Sequence, residues 1–135
     1  MKNKALQQAG LKATLPRLKI LKILQDAEPH HLSAEEVHSQ LIAAGEEVGL
    51  ATVYRVLMQF QAAGLVRRYH FEGDRAIFEI DNGQHHDHLV CLQCNAVQEF
   101  VDEAIEQRQQ VIAQQANFKM TDHNLTIYGF CQQCS

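Results

Sequence analysis

The chain contains four cysteines, and they fall into two pairs of the same spacing, Cys91-Leu92-Gln93-Cys94 and Cys131-Gln132-Gln133-Cys134. A two-residue gap lets successive backbone N–H groups turn toward both sulfurs. Two such pairs in a reducing compartment form a tetrahedral zinc pattern. Four thiolates leave no coordination position open, so the expected site is structural, not catalytic. The insert between the pairs, residues 95–130, exceeds the usual zinc-ribbon spacing of about 15–20 residues. It is long enough to hold a helix. Zinc is therefore expected to pin the last strand of its lobe to the first ones. Two redox pairs, or inert core thiols, are the competing reading.

A second constellation is His85-His86-Asp87-His88, which falls on an expected strand. Alternate side chains of a strand point to opposite faces. His85 and Asp87 should thus share one face, and His86 and His88 the other. Ligand-type residues on both faces are hard to assign to packing and read as halves of two metal sites. His31, Glu79 and Glu99 are candidates to complete the His86/His88 half; Glu106 and His123 are candidates for the His85/Asp87 half. Mixed nitrogen and oxygen donors suit Fe(II), Mn(II), Co(II) or Zn(II). His30, His38 and His70 read as ordinary surface histidines.

The elements that must position these groups follow from periodicity. Residues 2–8 suggest a short helix. Thr14-Leu15-Pro16-Arg17 suggests a capped start for a helix running to about Ala27. Ser33-Ala34-Glu35-Glu36 matches a capping box, with a helix to about Ala44 and a stop at Gly45. The next helix lies between Gly49 and Gly64, with Leu50, Val53, Leu57 and Phe60 on one face and Ala51, Thr52, Arg55, Met58 and Gln59 on the other. Leu65–Phe71 and Arg75–Ile80 read as strands joined by Glu72-Gly73-Asp74. Helices followed by a hairpin describe a winged helix-turn-helix, whose last helix enters the major groove. Asp81-Asn82-Gly83-Gln84 is the candidate linker. Strands at 85–92, 97–100 and 125–130 and a helix at 102–115 make the second lobe a small α/β unit. The expected class is α+β, with residues 1–82 as the winged-helix DNA-binding domain and 83–135 as a small α/β metal-binding domain.

Charge supports this polarity. The net charge is −4, but residues 1–79 carry ten bases against nine acids, and no acid precedes Asp26. A basic beginning and an acidic remainder suggest that one end meets a polyanion. No apolar run approaches about 18 residues, so no membrane partner is expected. Nor is there a signal-peptide pattern, and a cytoplasmic location follows.

Gly49-Leu50-Ala51-Thr52-Val53-Tyr54-Arg55-Val56-Leu57, followed by His85 to Cys94, resembles the ferric uptake regulator family, as does Gly10-Leu11-Lys12-Ala13-Thr14-Leu15-Pro16-Arg17. The resemblance covers nearly the whole chain. It implies a structural zinc at Cys91, Cys94, Cys131 and Cys134, an inter-lobe site at His31, Glu79, His86, His88 and Glu99, and a dimerisation-lobe site at His85, Asp87, Glu106 and His123. Glu79 and Glu99 resemble the iron-sensing branch; zinc-, manganese- and peroxide-sensing members of the family are the alternatives. The implied function is Fe(II)-responsive repression of metal-uptake genes by a homodimer, or a higher oligomer on DNA, bound to AT-rich inverted repeats. Mn(II), Co(II) or Zn(II) would be able to replace Fe(II). Thr52 and Arg55 would face DNA from the outward side of their helix. Tyr54 would meet a thymine methyl or a phosphate, and Lys12 and Arg17 phosphates or the neighbouring minor groove.

Two rival readings carry less of the sequence. A metalloenzyme of the zinc-deaminase kind needs a proline before its cysteine pair, and the prolines here are Pro16 and Pro29. A metal buffer without an operator explains the ligands but neither the wing nor the polar outer face of the 51–59 helix.

Overall fold

Helix punctuation builds the first half of the chain. The computed structural model describes residues 2–27, 31–71, 75–81, 83 and 86–135. The hairpin loop 72–74, His85, and Asn82 and Gln84 of the expected linker lie outside the described residues. α1 (Lys2–Gln8) is followed by α2 (Leu15–Asp26). Thr14 occupies the cap position of α2, but its side chain makes no capping hydrogen bond. A capping oxygen bonds the N–H of the second or third helical residue. Here the second is Pro16, which has none, so one of the two possible capping donors is lost. The helix instead starts on its main chain, with Leu18 N–H donating to the Thr14 carbonyl at 2.9 Å.

α3 (Ala34–Ala43) carries the full capping box: Glu36 N–H donates to Ser33 Oγ at 3.1 Å and Ser33 N–H to Glu36 Oε1 at 2.9 Å. Past it, Gly45 takes φ 83°, a left-handed turn that side chains disfavour. α4 (Leu50–Ala62) buries Val53, Val56, Leu57 and Phe60. Leu50, expected in that stripe, is 40% exposed. Leu50, the first residue of α4, lies outside the core cluster, which Val56 joins.

β1 (Val66–Phe71) and β2 (Arg75–Ile80) form an antiparallel hairpin in which Val66 faces Ile80 and Phe71 faces Arg75. Leu32 pairs with Phe78 through two backbone hydrogen bonds of 3.0 and 2.8 Å, which ties the segment before α3 to β2. Phe78 then plugs the core formed by Ile20, Leu24, Val37, Leu41, Leu57 and Phe60. Burying side chains of this size stabilises by roughly 1.5–3 kcal/mol each. Helices plus this hairpin make a winged helix-turn-helix.

The chain divides into two compact units, Met1–Gly83 and Gln84–Ser135. In the second unit the sheet order is β4 (Val97–Phe100), β3 (Asp87–Cys91), β5 (Thr126–Gly129). β4 runs antiparallel to β3, and β5 runs parallel to it. A parallel neighbour needs a crossover, and α5 (Glu103–Gln115) lies in that crossover. Asp102 caps α5, accepting from Ala104 N–H at 2.9 Å and Ile105 N–H at 3.2 Å. β3 is shorter than the expected 85–92, because the chain curls at Cys91 into a turn. No residue of α5 is buried, and among the described residues of this unit only Val90 and Cys91 are buried apolar side chains. This unit needs staples beyond its own core. No helix among the described residues is long and apolar enough to cross a membrane.

Candidate metal centres and nucleic-acid interface

The cysteine cluster is a product of the parallel pair. β3 and β5 run side by side, with Cys91 level with Gly129. Both strands therefore end together, and each is followed by a tight turn that carries a second cysteine. Asn95 takes φ 65° to close the first turn, and its N–H donates to the Cys91 carbonyl at 3.0 Å. All four Sγ atoms lie within 4.8 Å of one another. Cys94 Sγ and Cys131 Sγ stand 3.7 Å apart, and all four thiols are free. A disulfide requires about 2.05 Å between sulfurs. Two sulfurs of a zinc tetrahedron with bonds of about 2.3 Å stand roughly 3.8 Å apart. The sulfurs thus fit zinc.

Electrostatics point the same way. Cys91 Sγ accepts the N–H groups of Cys94 and Cys131, each at 3.4 Å. These two peptide dipoles lower its pKa to about 6. Cys134 is pushed up to about 12, first by the neighbouring Cys131 thiol and then by burial. The two N–H groups thus favour a thiolate at Cys91, and further thiolates crowded beside it call for a cation.

The polar residues of the second unit gather on both faces of β3, as its alternation dictates. Asp87 is fully buried and groups with Glu106 of α5 and His123 of the loop before β5, with ligand atoms within 4.8 Å of one another. His123 Nε2 lies 2.9 Å from Glu106 Oε2, and Asp87 Oδ1 accepts Leu125 N–H at 3.2 Å. His85, the fourth expected member, is outside the described residues. On the other face His88 sits directly opposite Glu99 in the β3–β4 register. His86 Nε2 is 3.4 Å from Glu99 Oε1, and its ring lies edge-on to His88 at 5.1 Å between centroids.

In the first unit the Leu32–Phe78 bridge sets the residues on either side of it together. His31 Nε2 lies 3.0 Å from Glu79 Oε2. Alone, such a pair is an ordinary histidine–carboxylate contact. Its donor types are also those of a mixed nitrogen–oxygen metal site.

α4 carries the candidate nucleic-acid face. It contains no acidic residue, so nothing on it repels phosphate. Arg55 is exposed, Thr52 is half-buried on the same side, and Lys12 is exposed in the loop before α2. Tyr54, partly exposed, braces its ring edge-on to Phe78 at 6.2 Å, which fixes the helix on the wing. Arg17, expected at phosphates or the neighbouring minor groove, is hydrogen-bonded within the unit. Its guanidinium donates to the Lys12 carbonyl and to Gln59 Oε1. Gln59 was not among the expected functional residues. Its trace in the sequence is its place on the outward face of that helix, four residues after Arg55.

A winged reading head joined to a unit with a four-thiolate centre and paired His/carboxylate donors defines a metal-responsive, DNA-binding transcription regulator. Residues 8–128 match the model of the ferric uptake regulator family. The ferric uptake regulation protein of Legionella pneumophila is 64% identical over 129 residues, which cover 96% of this chain and 95% of that protein. The crystal structure of the ferric uptake regulator of Vibrio cholerae superposes with a TM-score of 0.90 at 58% identity, covering 97% of this chain and 100% of that one. The ferric uptake regulator of Francisella tularensis, solved with iron, gives a TM-score of 0.87 at 42% identity, covering 93% and 95%. The chain belongs to the ferric uptake regulator family.

Proposed function

We propose that this chain is a cytoplasmic Fe(II)-responsive repressor that binds AT-rich inverted-repeat operators as a homodimer and controls metal-uptake genes. The observation that carries this reading is the presence of matching His/carboxylate donor sets on both sides of the linker: His31 with Glu79 in the reading unit, His86 and His88 with Glu99 in the other. Neither set alone fills a coordination sphere. In this reading the five residues form one regulatory site, and occupancy of it sets how the two units are held. His85, Asp87, Glu106 and His123 form a second mixed site within the dimerisation unit. Zinc held by Cys91, Cys94, Cys131 and Cys134 supplies a structural cross-link.

Fe(II) acts as effector by favouring the DNA-competent arrangement over others. A coupling of about 1–3 kcal/mol is typical of such switches. Two recognition helices of a dimer must meet major grooves about one turn, roughly 34 Å, apart or at a related spacing. A change in the attitude of the reading units alters that spacing. The Vibrio cholerae relative is described as showing structural rearrangement of its DNA-binding domains, which supports the same view. The N and O donors would also accept Mn(II), Co(II) or Zn(II). Homodimerisation is supported by the apolar surface that the second unit leaves open, with Ile112 55% and Phe118 73% exposed.

The test is a gel shift of promoter fragments with the zinc-loaded protein, run without added metal and with Fe(II), Mn(II), Zn(II) or peroxide. Retardation that appears with Fe(II) or Mn(II) and vanishes on chelation is expected. Metal-independent binding of the same fragment, or a response to peroxide alone, would overturn the assignment.

A further inference from the structure

Arg17 lies in the first turn of α2, half-buried, and spans two distant parts of the reading unit. One terminal nitrogen donates to the Lys12 carbonyl at 2.8 Å, five residues upstream. The other donates to Gln59 Oε1 at 3.1 Å, forty-two residues downstream. Lys12 belongs to the short exposed segment between α1 and α2. Gln59 sits on α4 one turn beyond Arg55, on the side that also carries Thr52. A flat guanidinium can hold two diverging acceptors at once, whereas an ammonium is a point donor on a loose stem. The guanidinium is thus a strut between the Lys12 segment and the outward stripe of α4.

We infer that Arg17 is a positioning residue, which locks the Lys12 segment to α4 through Gln59 so that Lys12 and Arg55 reach DNA as one rigid unit. This rests on the proposed DNA-binding function. The strut also accounts for two local features. α2 begins without a side-chain cap, so its entry is held from elsewhere. The Lys12 side chain is exposed, while its carbonyl accepts from the Arg17 guanidinium and from Thr14 N–H at 3.1 Å. A Lys12 ammonium on a mobile segment would lose its contact to ordering cost. Held by the strut, it is presented at a fixed offset from the recognition helix.

The metal-loaded protein is titrated against a promoter fragment that the unaltered protein binds, using Lys12→Ala, Arg17→Lys, Gln59→Leu and the doubles with Lys12→Ala. Lys12→Ala is expected to weaken binding about fivefold or more in the unaltered background. In the Arg17→Lys and Gln59→Leu backgrounds it should cost less than about twofold, because coupled residues are not additive. If Arg17 instead touches a phosphate directly, Gln59→Leu is neutral, Arg17→Lys keeps its charge, and Lys12→Ala retains its full penalty in both; that result overturns the proposal. So does a neutral Lys12→Ala. A DNA-free arm separates the strut from the function. Trypsin attacks the same Lys12 carbonyl, so cutting between Lys12 and Ala13 should speed up in both Arg17→Lys and Gln59→Leu at an unchanged unfolding temperature. Unchanged cutting removes the strut whatever the DNA result. If the unaltered protein binds no promoter DNA, the function fails while this arm still judges the strut. Should Arg17→Lys fold poorly, Gln59→Leu carries both arms.

Discussion

Cys91 is the residue on which the second unit turns. Two peptide N–H groups lower its pKa to about 6, against an ordinary thiol near 8.5. A folded-state pKa below the unfolded one adds stability that is complete above about 8.5 and is lost as pH falls toward about 6. Cys134, pushed up to about 12, acts in the opposite sense and only above about 8.5. In reduced, metal-stripped protein the unfolding midpoint should therefore fall between pH 8.5 and 6, and Cys91→Ala should lack that slope. A midpoint that rises on acidification across that window would contradict the arrangement. At the DNA face Arg55 carries the sharpest expectation. Arg55→Ala should cost about 1–3 kcal/mol of operator affinity if the guanidinium reads a base. Binding of operator and of scrambled DNA, measured by anisotropy, should converge in the variant.

At the scale of elements, α3 rests on its capping box. Ser33→Ala removes the hydrogen bond from Glu36 N–H and should cost about 1 kcal/mol. For a unit of this size that corresponds to roughly 4–8 °C in the unfolding midpoint. Calorimetry that finds no change would mean that Leu32–Phe78 pairing alone holds the start of α3. The elements were largely legible in the sequence because their stops and starts are chemical: Ser33 with Glu36, Gly45 and Gly64, the switch from helical to alternating period at Val66. Thr14 misled because residue type marks the cap position but not whether its side chain makes the bond, and Pro16 removes one of the two possible donors. Leu50 misled because periodicity gives the face of a helix but not where the neighbouring layer ends. For the candidate sites, strand parity separated Asp87 from His88, and residue types nominated partners for each. What the sequence could not supply was proximity. His31 approaches Glu79 only because Leu32 pairs with Phe78, and the Arg17–Gln59 strut crosses from one helix to another without any local pattern.

At the scale of the molecule, the two units are stabilised by different means. The first has a helical core plugged by Phe78. The second leaves Val101, Ile112, Phe118, Ile127 and Phe130 exposed, with only two buried apolar side chains among its described residues. Contact between copies of this unit would cover that surface. Ile112→Glu should therefore shift the protein toward monomer in sedimentation and weaken operator binding, while leaving the melting of the helical unit in place. A variant that remains dimeric would move the contact to another part of the surface.

The parallel pairing of β3 and β5 also fixes an order of assembly. Half of the thiolate cluster is made at residues 91 and 94, but it stays open until residue 134 has been synthesised. The core of the helical unit is drawn from residues between Leu6 and Ile80, and domains generally fold as they emerge. Each growing chain thus owns a finished reading head well before it can be cross-linked by zinc, and its maturation ends with metal loading rather than with folding of the helices.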